Sequence, residues 1–164
     1  MLAAILLAIC VPSFASLVHT SRLSSATNEM SASLHLARSE AIKRSLCAVM
    51  CMSVGGTSCS ASGGWHQGWL VFHDANNNAI LEVGETVILV RQALRTGFSL
   101  TGNAPVSKYI SYSSNGGTKL ISGAFQAGTL TLCSKSGSPG SARQVIISSI
   151  GRPRTAEIVL ASCP

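Results

Sequence analysis

The chain has 164 residues, enough for one folded body with a real core and too few for two. Only 11% of residues are charged and 46% are hydrophobic, with Gly, Ser and Ala abundant, which excludes a disordered chain. The net charge of +6 is uneven: up to Glu85 the bases Arg22, Arg38, Lys43 and Arg44 meet the acids Glu29, Glu40, Asp74, Glu82 and Glu85, whereas Arg91, Arg95, Lys108, Lys119, Lys135, Arg143, Arg152 and Arg154 beyond it meet only Glu157. Such a C-terminal half attracts a polyanion, or merely keeps a surface soluble.

From Met1 to Val18 the run MLAAILLAICVPSFASLV carries no charge. At about 1.5 Å per helical residue it only just reaches across a hydrocarbon layer of about 30 Å, so it is marginal as a complete span. It lacks the basic start and small-residue cleavage motif of a secretory signal, and Pro12 interrupts what would be the apolar core of one. Residues 1–18 are read as a membrane or filament-core segment.

Residues 19–46 read as an amphipathic helix. Steps of three and four place Leu23, Ala26, Met30, Leu34, Ala37 and Ala41 on one face, with Arg22, Ser25, Asn28, Ser39 and Lys43 opposite, and no Gly or Pro occurs from residue 13 to residue 54. The apolar stripe suits packing on the chain's own head and on neighbouring helices; an ordinary core helix has the same stripe.

From Cys47 the texture changes to short β-like runs between Gly, Ser and Asn: Ala48–Ser53, Gly68–His73, Thr86–Leu94, Tyr109–Ser113, Thr129–Cys133, Gln144–Ser149 and Ala156–Leu160. A long helix followed by strands predicts an α+β fold, the helix packed on an antiparallel sheet or sandwich formed by residues 47–164. Trp65 and Trp69 are expected in the core between helix and sheet, and an exposed Trp65 would instead suggest a glycan-binding adhesin.

Of the cysteines, Cys10 lies in the apolar leader. Cys51 and Cys59 bracket a Gly/Thr/Ser turn, and Cys133 and Cys163 each follow an apolar run, so two bridges, Cys51–Cys59 and Cys133–Cys163, are expected, and with them an oxidising compartment. Cys47 is left over as a buried thiol. Zinc is the rival, but Cys47, Cys51 and Cys59 lack the paired short spacings of a zinc ribbon.

Several motifs together resemble one family. AILLAICVPSF at 4–14 is similar to the membrane-proximal half of the class III signal segment of type IV pilins and pseudopilins; LARSEAIKRS at 36–45, Trp65, GWLVFHDANNN at 68–78 and GRPR at 151–154 resemble minor pilins of the FimT and GspH kind. The resemblance implies a pilin fold and no enzymatic activity, an inner-membrane anchor with a periplasmic head, later display on a pilus, and other pilins as partners through the helix. The family's short basic leader, Gly, and Phe-Thr-Leu-Ile-Glu segment do not precede Met1, so the expectation is a start placed too far downstream or a truncated sequence, with prepilin peptidase a partner if the true start lies upstream.

GRPR lies between VIISSI and TAEIVL and should form or border a hairpin turn, with Gly151 free to take positive φ and Pro153 stiffening the backbone. Arg152 and Arg154 are thereby held ready for bidentate phosphate contacts. In FimT-like pilins a GRxR motif at this place is associated with DNA capture during natural transformation. The resemblance therefore implies double-stranded DNA as a partner, bound without sequence specificity through Gly151, Arg152 and Arg154, with Arg143, Lys135 and Lys119 as weaker additions. On physics alone, GRPR reads equally as a solvated turn touching neighbouring subunits. The structural alternative is a minor pilin or type II secretion pseudopilin that primes or caps a filament.

Other constellations are weaker. Asp74, Asn76, Asn78 and Glu85 have the spacing of a calcium loop, but Ala79 stands where that loop requires Gly, and Asn-rich turns between strands are common. His66 and His73 flank a strand without a third ligand at suitable spacing and are read as surface histidines. No metal, cofactor, phosphate-binding glycine loop or catalytic carboxylate pair is expected.

Overall fold

The computed structural model describes residues 2–134 and 140–164, with side chains from residue 17 onward. One helix, α1 (Leu2–Arg44), is followed by eight described strands: β1 (Cys47–Met52), β2 (Trp69–Asp74), β3 (Val87–Arg91), β4 (Phe98–Gly102), β5 (Tyr109–Tyr112), β6 (Gly128–Ser134), β7 (Gly140–Ile147) and β8 (Pro153–Leu160). They form two four-stranded sheets, ordered β3-β2-β1-β5 and β4-β6-β7-β8, with every neighbouring pair antiparallel. Among the described residues no helix is long and apolar enough to cross a membrane.

The stripe read from the sequence is the buried face of α1. Leu23, Ala26, Met30, Leu34, Ala37 and Ala41 join one core with Met50, Val71, Leu100, Ile110, Leu130, Val145 and Ile147, drawn from both sheets. Each fully buried Leu or Met contributes about 1.5–3 kcal/mol by leaving water. The two tryptophans complete this layer. Both are wholly buried, which removes the adhesin reading; Trp65 donates its indole N–H to the Val106 carbonyl and Trp69 to the Ser33 hydroxyl, each at 3.0 Å.

The helix stops where Ser45 turns to φ +55°. The Leu46 N–H then bonds the Ala41 carbonyl at 3.2 Å and the Ser45 N–H that of Ile42 at 3.3 Å, which satisfies two terminal carbonyls and aims the chain into β1. Disulfides join Cys51 to Cys59 and Cys133 to Cys163. The first pins the loop after β1; the second ties the C-terminus to β6, and Ser99 on the neighbouring β4 also donates to the Pro164 carbonyl.

Three expectations need correction. β4 was not expected at all: FSLTG is short, follows Gly97 and ends on Gly102, and becomes a strand by pairing with β6. His73 is not a surface residue; it shares the helix-facing side of β2 with Trp69 and Val71 and lies 3.6 Å from Glu40 through Nε2. Cys47, at the very start of β1, is half-buried rather than buried.

Candidate nucleic-acid interface

Residues 148–152 connect β7 to β8. The Gly151 N–H closes the turn on the Ser148 carbonyl at 2.8 Å, and Gly151 sits at φ +75°, a left-handed value that favours glycine. Pro153 opens β8 opposite Ile147, at the first position of an edge strand, where its missing N–H is tolerated. GRPR thus borders the hairpin: Gly151 and Arg152 belong to the turn, Pro153 and Arg154 to the strand. Both arginines are exposed and Gly151 is buried.

Gly151 is buried because the turn leans on the loop that follows β5. Thr118, itself wholly buried, donates its backbone N–H to the Ser149 carbonyl at 3.0 Å, and its hydroxyl lies 2.6 Å from the Gln126 carbonyl and 3.1 Å from that of Ser148. Gln126, also buried, donates its amide to the Pro105 and Tyr109 carbonyls and accepts the Ser111 N–H. From the helix, Arg38 donates Nε–H to the Gly116 carbonyl at 3.0 Å. Helix, loop and hairpin turn are therefore held together by the hydrogen bonds of buried Thr118 and Gln126 and of half-buried Arg38, an arrangement that fixes geometry well.

Where the three meet is an open cleft of about 360 Å3, lined by Arg38, Asn115, Gly117, Thr118, Lys119, Phe125, Ser149, Ile150 and Arg152. Three cations and, among the described residues, no carboxylate line it. A concave surface of one sign concentrates field and suits phosphate, to which guanidinium and ammonium groups donate charge-assisted hydrogen bonds.

The candidate residues fare differently in space. Arg152 and Lys119 line this cleft, with Gly151 in the turn that presents it. Arg154 lies outside the cleft, exposed on β8 opposite Ile146. Arg143, on β7, is ion-paired with its cross-strand partner Glu157 and its side chain is only 20% exposed, so much of its charge is already compensated. Lys135 lies outside the described residues. Arg38 and Phe125 were not anticipated; Arg38 stands within the LARSEAIKRS motif, whereas nothing local marks Phe125.

Other polar groups near the helix end serve the fold. Burial tends to raise the Glu40 carboxyl, but the hydrogen bond from Arg44 and the charges of Lys43, Arg44 and His73 prevail and hold it below the usual carboxylate range. Burial pushes the Cys47 thiol up, Asp74 adds to this and Lys119 opposes it, a setting that disfavours a reactive thiolate. In the loop after β2 both Asp74 oxygens accept backbone N–H groups, from Asn78 and Ala79, and both Glu85 oxygens do so from Ala75 and Glu82. These carboxylates act as backbone caps. No three His, Cys, Asp or Glu among the described residues gather as metal ligands.

A helix laid across two antiparallel sheets is the architecture of minor pilins. The crystal structure of the type IV minor pilin FimU of Pseudomonas aeruginosa aligns with a TM-score of 0.65 at 19% identity, covering 90% of this chain and 99% of that one. The minor pseudopilin EpsH from the type 2 secretion system of Vibrio cholerae aligns with a TM-score of 0.53 at 14% identity, covering 85% and 97%. No curated protein matches significantly. The family model for the type II transport protein GspH matches residues 26–151, and the chain belongs to that family. It is a GspH-like minor pilin, and the family and fold are those of filament subunits rather than enzymes.

Proposed function

We propose that this minor pilin binds extracellular double-stranded DNA, without sequence specificity, for uptake during natural transformation. Arg152 and Arg154 make the main phosphate contacts, Lys119 and Arg38 extend them along the cleft, and Arg143 contributes little because of Glu157. The observation that carries this reading is the exposed Arg152 on a turn locked at Gly151, beside two further cations in a cleft that no carboxylate among the described residues lines. Ordered cations lose less entropy on binding than flexible ones.

The protein would be anchored in the inner membrane with its head in the periplasm, and would contact other pilins through α1 after entering the pilus. A purely structural role, priming or capping a pilus or type II secretion filament, is the second reading. It is favoured by apolar side chains that α1 leaves in solvent, Leu17 at 65% and Ile42 at 47% exposure. Gel-shift titration of the full chain in neutral detergent, repeated at rising salt, separates the two: backbone binding weakens steeply with salt, whereas a structural subunit binds no better than an unrelated basic protein.

A further inference from the structure

Phe125 is 78% exposed, on the rim of a cleft that also presents Arg38, Lys119, Arg152 and the exposed Ile150. Leaving a large aromatic ring in water has no folding benefit, and this ring belongs to no core cluster. It is nonetheless held in place. Phe125 pairs with Lys119 across an antiparallel bridge, and the turn between them is closed by Leu120 N–H to Ala124 O and by Gly123 N–H to Leu120 O, each at 2.8 Å. Directly opposed residues project on the same side of such a ladder, so the ring and the Lys119 ammonium stand together. The Ile121 N–H, bonded to the Tyr109 hydroxyl at 3.1 Å, ties this turn to β5.

An aromatic ring carried on an ordered turn and flanked by cations suits single-stranded nucleic acid: the ring stacks a base and the cations follow the phosphates. A cleft of about 360 Å3 has the scale of a small-ligand site and admits a nucleotide, while a duplex can only lie across its rim. Within a duplex each base face is covered by its neighbours, so Phe125 can stack only on an unpaired or terminal base. We infer that the cleft takes unpaired nucleotides, a base on Phe125 and the adjoining phosphates on Lys119 and Arg152, so that the protein prefers single strands and overhanging duplex ends to blunt duplex. This rests on the proposed DNA binding.

The test compares three DNAs of one sequence, a single strand, a blunt duplex and a duplex with a single-stranded overhang, using the full chain in detergent. Wild type is expected to bind the overhanging duplex more tightly than the blunt one. Phe125→Ala should weaken the single strand and the overhanging duplex about tenfold, change blunt duplex less than about twofold, and be rescued by Phe125→Trp. Equal weakening of all three DNAs, or none, overturns the inference. Unchanged DNA binding together with lost co-purification of other pilins also overturns it and assigns Phe125 to a subunit contact. If the wild-type chain binds all three DNAs no better than an unrelated basic protein, the underlying DNA reading fails instead, a distinct outcome.

Discussion

A side-chain carbon added to Gly151 would stand 2.0 Å from the carbonyl oxygen of Gly116, the same oxygen that accepts the Nε–H of Arg38. The turn that presents Arg152 therefore rests, without space for even a methyl group, on a loop bolted to the helix.

Replacing Gly151 by Ala should consequently cost about 2 kcal/mol or more, from the clash together with the left-handed backbone. Gly123 separates the two effects. It has φ +85° but nothing within 4 Å of an added carbon, so Gly123→Asn, which tolerates that backbone, should lower stability only slightly, whereas Gly151→Asn should remain costly. Urea denaturation midpoints of the three variants decide; a mild Gly151→Ala would mean that the turn is not clamped against Gly116.

Ser33 supplies the acceptor for the buried Trp69 indole at 3.0 Å. Ser33→Ala leaves that N–H without its partner inside the core and should destabilise by about 1–3 kcal/mol, more than truncating a hydroxyl on the exposed helix face such as Ser39→Ala. Equal effects in a denaturant titration would contradict a buried Trp69–Ser33 hydrogen bond.

Tyr112 lies beneath Gly151, is fully buried, and its hydroxyl makes no hydrogen bond. Burial raises its phenol well above the ordinary 10.0, with Arg38 opposing more weakly. A group whose folded pKa is raised lends its stability in full below the unfolded value and loses it as pH climbs towards the folded one. Wild type should therefore weaken from about pH 10 upward, where the unfolded chain ionises and the folded one does not. Tyr112→Phe should lack this alkaline loss and be at least as stable as wild type at neutral pH. Parallel alkaline decay of both proteins, followed by circular dichroism, would remove Tyr112 as the cause.

The helix and most strands could be read locally because their information is local. The stripe from Leu23 to Ala41 has helical spacing and no breaker, the run in β2 is dense in β-formers, and that in β1 is a short apolar stretch bounded by Ser45 and Ser53. β4 was not legible, since FSLTG acquires its strand only from β6. The burial of His73 was equally hidden: both faces of β2 are covered, one by the helix core and the other by the cluster around Leu70 and Phe72, and a lone histidine does not signal that cover. At the site, GRPR advertised Arg152 by its turn chemistry. The convergence of Arg38, Lys119 and Phe125 on it depends on contacts spanning much of the chain, including the 78-residue separation between Arg38 and Gly116.

The proposed role of Arg152 and Arg154 in DNA binding is tested most directly by duplex affinity against salt for wild type and the Arg152→Ala/Arg154→Ala variant. Each phosphate neutralised contributes about 0.9 to the steepness of log affinity against log salt, so the double variant should bind more weakly with a slope shallower by about 2. Arg143→Ala, which removes a cation already paired with Glu157, should alter the slope much less. An unchanged affinity and slope in the double variant would contradict this assignment and move the phosphate contacts to other cations of the surface.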